Sequence, residues 1–174
     1  VTLFVDGYNV IFAASRKLRG FDMKQTEAAR EALLSLLAKF RSVRSERVVV
    51  FFDGGPEAAR LPRRQMARGM EVVFSEAQSD ADSDIKAAIA REANPRAVVV
   101  VTSDAAIRRF VERCGATVTD SAAFLEEVEA ALKESSIPHD EPIEKYEGAA
   151  GEDAAYWLRV FGESEPKDGR GQGG

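Results

Sequence analysis

Three short apolar runs, each closing in a polar corner that contains an aspartate, constrain this chain more than any other feature. Val1 to Val5 leads into Asp6-Gly7-Tyr8-Asn9. Arg47 to Phe52 leads into Asp53-Gly54-Gly55-Pro56, and Ala97 to Val101 into Thr102-Ser103-Asp104. Apolar stretches of this length, bounded by turn formers, read as buried strands, and Ala97 to Val101, the most apolar, as a central parallel one. Met70 to Phe74 and Ala116 to Thr119 add two shorter strands. Between the strands the period changes. Ala29, Leu33, Leu36, Leu37 and Phe40 predict an amphipathic helix over 23–42, opened by the capping pair Asp22 and Gln25. Ser79 to Glu92 predicts a helix with Ser79 as N-cap, Asp82 as a variant capping-box partner, and a buried stripe of Ile85, Ala88 and Ile89. Ser121 to Lys133 predicts a last core helix. Shorter helices are expected over 10–18, closed by Gly20, and after Asp104 as far as Gly115. Residues 54–69 read as an irregular, basic segment.

Strands alternating with helices imply right-handed crossovers and a parallel sheet with helices on both faces. The expectation is one three-layer α/β domain, residues 1–134, around a mostly parallel five-stranded sheet. From Ser135 the composition shifts toward Pro, Glu, Gly and Asp. Residues 135–152 read as a linker, and a short aromatic helix near 153–161 presents Trp157 and Phe161 within an acidic tail that runs to 174.

A chain of 174 residues with 45% hydrophobic content can bury a core of that size. The single cysteine, Cys114, excludes an internal disulfide framework or a cysteine zinc cluster and reads as a buried filler. No apolar run approaches a membrane span and the N-terminus lacks a signal-peptide pattern, so a cytoplasmic protein without a membrane partner is expected. The net charge of −5 argues, taken alone, against nucleic acid. Its distribution changes the argument. Residues 134–174 hold ten acidic and four basic side chains, whereas residues 1–133 hold 19 acidic and 20 basic ones. If several of those 19 acids converge on one pocket, the remaining surface is net basic, which suits an acidic site framed by a phosphate-attracting rim.

That convergence follows from topology. The C-terminal ends of parallel strands share one edge, where ligands collect, so Asp6, Asp53 and Asp104 meet there. Asp82, in the first turn of a helix starting at the same edge, joins them with the Asn9 amide. Carboxylates packed so closely repel one another. A divalent cation removes the conflict, and oxygen ligands favour Mg²⁺ or Mn²⁺ over zinc. Singly, each residue has a plainer reading: Asp6 and Asp53 as turn formers before glycine, Asp82 and Asp104 as helix caps. Asp84 is a candidate group behind the ligands, and Asp80 reads as solvated. Arg60, Arg63, Arg64 and Arg68 could hold RNA phosphates or form a solvated basic loop. Tyr8 could stack a base or pack in the core, and Ser103 could bond a ligand or serve a turn. His139 takes no role.

Asp6-Gly7-Tyr8-Asn9, Phe52-Asp53-Gly54, Ala81-Asp82-x-x-Ile85 and Thr102-Ser103-Asp104, in this order and spacing, resemble the NYN branch of the PIN-like nucleases, with the bacterial YacP-like group as the nearest match. Tyr156 to Gly162 is similar to that group's C-terminal end, so the resemblance spans about residues 1–162. It implies a PIN-like, Rossmann-like domain and a metal-dependent endoribonuclease acting on mRNA in association with the ribosome. By motif, Asp6, Asn9, Asp82 and Asp104 form the core site, with Asp53 completing it; Asp6, Asp82 and Asp104 are the metal ligands. Relatives often carry a further carboxylate one turn after the last aspartate. Here Ile107, Arg108 and Arg109 follow, which leaves the number of metals open. Two other readings stand beside this one. The first is a non-catalytic RNA- or ribosome-binding module of the same fold. The second is a metal-dependent phosphatase, although a dehalogenase-type enzyme wants Asp-x-Asp on its first strand and Tyr8 takes the second position here.

Overall fold

A computed structural model describes residues 1–17, 26–55, 61–76 and 79–136. Along these the elements are β1 (Thr2–Asp6), α1 (Gly7–Lys17), α2 (Thr26–Arg44), β2 (Arg47–Phe52), β3 (Arg64–Ala67), β4 (Met70–Phe74), α3 (Ala81–Arg91), a 3-10 turn (Pro95–Ala97), β5 (Val98–Val101), α4 (Ala105–Arg113), β6 (Thr117–Thr119) and α5 (Ser121–Ser136). Side chains alternate across each strand, and both faces of the sheet are covered. Leu3, Val5, Val48, Val50, Phe52, Val72 and Phe74 pack against α1, α2 and α5. Phe4, Val49, Phe51, Val73, Val98 and Val100 pack against α3 and α4. Burial on both sides is why these strands read as unbroken apolar runs rather than alternating ones.

The sheet has six strands in the order β3-β4-β2-β1-β5-β6. β1, β2, β4, β5 and β6 are parallel, and β3 pairs antiparallel with β4. β5 is an interior strand, next to the edge strand β6. After β1 the chain builds outward on one side through β2 and β4. It then returns to lay β5 against the other side of β1, so the order reverses between β1 and β5. In open α/β sheets the crevice at such a reversal is where ligands bind.

The sixth strand corrects the five-stranded expectation. Residues 64–67, expected to be irregular, form a hairpin with β4 through the two-residue turn Arg68-Gly69, both at positive φ (52° and 77°). α3 is capped by Asp80 rather than Ser79; the Asp80 carboxylate accepts from the Ser83 N–H at 2.8 Å. Asp80 is exposed, as expected, but it is also this cap. α5 continues to Ser136, past the expected start of the linker at 135. Cys114 is partly buried against the α3–α4 core. The helix stop at Gly20, the Asp22–Gln25 cap, Arg60 and the linker and tail beyond 136, with Trp157 and Phe161, lie outside the described residues.

Candidate active site

At the reversal point β1 passes into α1 with no residue between them: Asp6 ends the strand and Gly7 begins the helix. Gly7 is there for space. A Cβ at this position would collide with the buried Phe52 ring. The Asp53-Gly54 corner repeats the device, since a Cβ on Gly54 would run into the Ser75 carbonyl oxygen. In both corners glycine lets the backbone approach its neighbour so that the preceding aspartate is held at the sheet edge.

Asp6 is 7% exposed and fully engaged. Its Oδ1 accepts from the Asn9 backbone N–H at 3.2 Å; its Oδ2 accepts from Asn9 Nδ2 at 2.9 Å and from the Thr102 hydroxyl at 3.1 Å. Burial raises its pKa above the ordinary carboxylate value. The three donors oppose that rise, and the charge of Asp53 adds to it. Thr102, completely buried, also accepts from the Asp104 N–H at 3.1 Å. One hydroxyl therefore ties the ends of β1 and β5 together across the reversal point.

The other acids sit at helix starts. Asp104 caps α4, its Oδ1 accepting from the Ala106 and Ile107 N–H groups at 2.7 and 2.9 Å. Asp53 reaches across to α3, where Oδ1 accepts from the Ala81 N–H at 2.7 Å. Asp82 lies in the first turn of α3. Lys86 Nζ pairs with its carboxylate, standing 2.9 Å from each oxygen. The cap reading and the site reading thus hold together: capping Asp53 and Asp104 engages Oδ1 alone. Aligned helix N-termini also favour negative charge at this edge.

These residues share one open cleft of about 400 Å³, lined by Asp6, Tyr8, Asn9, Asp53, Asp82 and Asp104, and by Phe12, Asp80, Ala81 and Ile107. All five expected catalytic positions are brought together. Tyr8 takes the packing alternative: although it lines the cleft, its ring packs edge-on against Phe52 and its hydroxyl accepts from the buried Arg30 at 3.0 Å. Ser103 does not line the cleft. Its hydroxyl donates to Asp120 Oδ2 at 2.8 Å and accepts from the Ser121 N–H, which commits it to the start of α5. Arg63 bridges Glu76 and Asp84 at 2.8 and 2.9 Å, Arg64 pairs with Glu71, and Arg68 with Glu31 at 3.3 Å. Asp84 therefore anchors Arg63 behind the first turn of α3. Thr102 and Phe12 were missed from sequence. Thr102 lies within the quoted Thr-Ser-Asp corner, and its position one residue after a buried strand was the available signal. Phe12 had only its spacing from Asn9.

A divalent cation could be held by this set only in an open, hydrated form. Among the described residues no three acidic, histidine or cysteine side chains are gathered tightly enough to hold an ion between them. Mg²⁺, however, keeps several waters and takes only one or two carboxylates beside substrate phosphates. The Asp82 carboxylate, paired with Lys86 at the edge of this cleft, is the group that such an ion would engage in place of the ammonium.

An α/β sheet whose carboxylates meet at the reversal of strand order is a nuclease-like arrangement, and the chain belongs to the YacP-like NYN domain family, whose sequence profile matches residues 3–153. It is 32% identical over 128 residues to the uncharacterized protein YacP of Bacillus subtilis (strain 168), covering 73% of this chain and 74% of that protein. The fold is similar to the crystal structure of Rae1 (YacP) from Bacillus subtilis, with TM-score 0.61 and 27% identity over 78% of this chain and 77% of that one. A tryptophan-to-leucine variant of that protein matches with TM-score 0.59 and 26% identity over 92% and 96% of the two chains. Among the described residues no helix is long and apolar enough to cross a membrane.

Proposed function

We propose that this protein is a metal-dependent endoribonuclease that hydrolyses RNA phosphodiesters, with mRNA on the ribosome as its substrate and Mg²⁺ or Mn²⁺ as its cofactor. The observation that carries the reading is the convergence of Asp6, Asp53, Asp82, Asp104 and Asn9 on one cleft at the reversal of strand order. The ribosome and mRNA enter through the family resemblance alone. Asp6, Asp82 and Asp104 would hold the ion directly or through water, and Asp53 would complete the negative wall. A bound ion would polarise the phosphodiester and stabilise the leaving oxygen. Asn9 donates an amide N–H to Asp6, and its amide oxygen would orient water at the phosphate. Thr102 fixes the Asp6 carboxylate relative to Asp104 and keeps the two strand ends in register. Lys86 balances Asp82 until a phosphate or cation enters. Arg60, Arg63, Arg64 and Arg68 remain candidates for phosphate contacts. The Arg68–Glu31 pair is exposed on both sides and worth little, so a phosphate can displace it, whereas Arg63 and Arg64 are held by the more buried Asp84 and Glu71 and would meet a phosphate with those pairs kept. Ser103, turned toward Asp120, would act only by supporting the corner beside Asp104.

The test is cleavage of RNA by the full chain with Mn²⁺ or Mg²⁺, on free RNA and in translating extracts. Asp82→Asn or Asp6→Asn should abolish cleavage while preserving the fold. Either variant cutting at the wild-type rate would sink the proposal. One observation favours a second reading, a non-catalytic RNA-binding module: Lys86 already neutralises Asp82. RNA binding without Mn²⁺-stimulated cleavage would select it.

A further inference from the structure

Phe12 is out of place for a core residue. It is 50% exposed, yet it lines the carboxylate cleft. It sits on α1 one turn beyond Asn9 and Tyr8, at the i+3 and i+4 positions that share their face. Helical side chains lean toward the N-terminus of their helix, so Phe12 tilts back toward Asp6 and the site. One further turn along, the Arg16 guanidinium lies over the Phe12 ring, 4.8 Å from its centroid. An arginine stacked in this way stiffens the ring and adds positive charge beside a pocket otherwise walled with carboxylates. A half-exposed aromatic with a guanidinium over it, about one helical turn from the atoms that would face a phosphate, is what an unpaired base needs. Every base has a π-face, and stacking on such a ring tolerates sequence.

We propose that Phe12, buttressed by Arg16, is the base-stacking platform that positions the nucleotide next to the phosphate in the cleft. This deepens the endoribonuclease reading and rests on it. Phe12 is a positioning residue here: it sets where the strand lies, and the carboxylates act on the phosphate. Tyr8, which also lines the cleft, does not compete for the role. Its ring is packed on Phe52 and its hydroxyl is engaged by Arg30.

The experiment uses the full-length Asp82→Asn protein, to prevent turnover, and a fluorescein-labelled unstructured oligoribonucleotide in which single abasic nucleotides are placed in turn. One abasic position should weaken binding by about tenfold, the scale of one lost base–aromatic stack. Phe12→Ala should weaken binding of the intact oligonucleotide similarly and be insensitive to the abasic site at that same position. Phe12→Trp should restore the sensitivity, and Phe12→Leu, equally apolar but without a π-face, should not. Thermal melts check that all three variants fold, which a half-exposed position permits. If the Phe12→Ala and abasic losses simply add at every position, the stacking proposal is overturned while the RNA reading stands. Unchanged RNA affinity in Phe12→Ala, with loss only of ribosome capture, would assign the ring to a protein contact and overturn it too. If no RNA binds to the parent protein at all, the underlying reading fails and this proposal falls with it.

Discussion

Asp6 carries a conflict between charge and burial that sets a pH signature. Its pKa is raised in the folded state, chiefly by burial. A raised pKa means that the native state binds the proton more tightly than the unfolded chain does. The stabilisation is therefore fully present below the unfolded carboxylate pKa and is lost as pH rises through the folded one. The stability of wild type relative to Asp6→Asn should accordingly increase on acidification across that window, as read from denaturant midpoints in the absence of divalent metal. Gly7 offers a second residue-scale test. Gly7→Ala forces a methyl group into the Phe52 ring and should cost about 1–3 kcal/mol, the usual range for overpacking, although alanine is otherwise the better helix former. Asp6, Asp53 and Asp104 were legible in the sequence because each lies in the corner that closes a strand, where chain order alone fixes the edge, and Asp82 because it lies in the first turn of a helix that starts at that edge. Thr102 and Phe12 were not, because a buried hydroxyl and a half-exposed ring acquire their meaning only from neighbours brought in by the fold.

Helix α4 separates capping from chemistry. Asp104 serves the helix through Oδ1, and asparagine caps about as well as aspartate. Asp104→Asn should therefore leave stability nearly unchanged and lower cleavage by about a hundredfold, the loss of a few kcal/mol of charge stabilisation. Asp104→Ala should lose the cleavage and also about 1 kcal/mol of stability with the cap. Urea titration and a cleavage assay on the same preparations distinguish the two. The β3–β4 hairpin was the element that sequence reading missed. Arg64-Gln65-Met66-Ala67 contains no β-branched residue, Pro62 precedes it, and its turn is Arg68-Gly69 instead of the strongly signalling Asn-Gly. Arg68 at φ 52° bears a left-handed penalty. Arg68→Asn should relieve part of it and stabilise the protein by about 0.5–1 kcal/mol, since the exposed pair with Glu31 that it removes is worth little.

At the scale of the whole molecule, strand order is what turns four separated acids into one site. β1 and β5 are 92 residues apart between Asp6 and Val98 yet adjacent in the sheet, and the cleft opens between their ends. The parallel α/β class and the edge followed from apolar runs alternating with helical periods; the exact count of strands did not, because an edge strand need not be apolar. If the cleft takes a divalent ion, Mg²⁺ or Mn²⁺ should raise the melting temperature of the wild type by mass action, chelation should reverse the rise, and Asp82→Asn should show none. The direct passage of β1 into α1 has a further consequence, for heat inactivation. The corner that holds Asp6 and Asn9 has no connecting residue of its own to order or loosen, so strand, carboxylate and helix start are one cooperative unit. On gradual heating, cleavage should persist until near-ultraviolet circular dichroism reports loss of the core and then disappear with it, with no temperature range in which the protein is folded but idle.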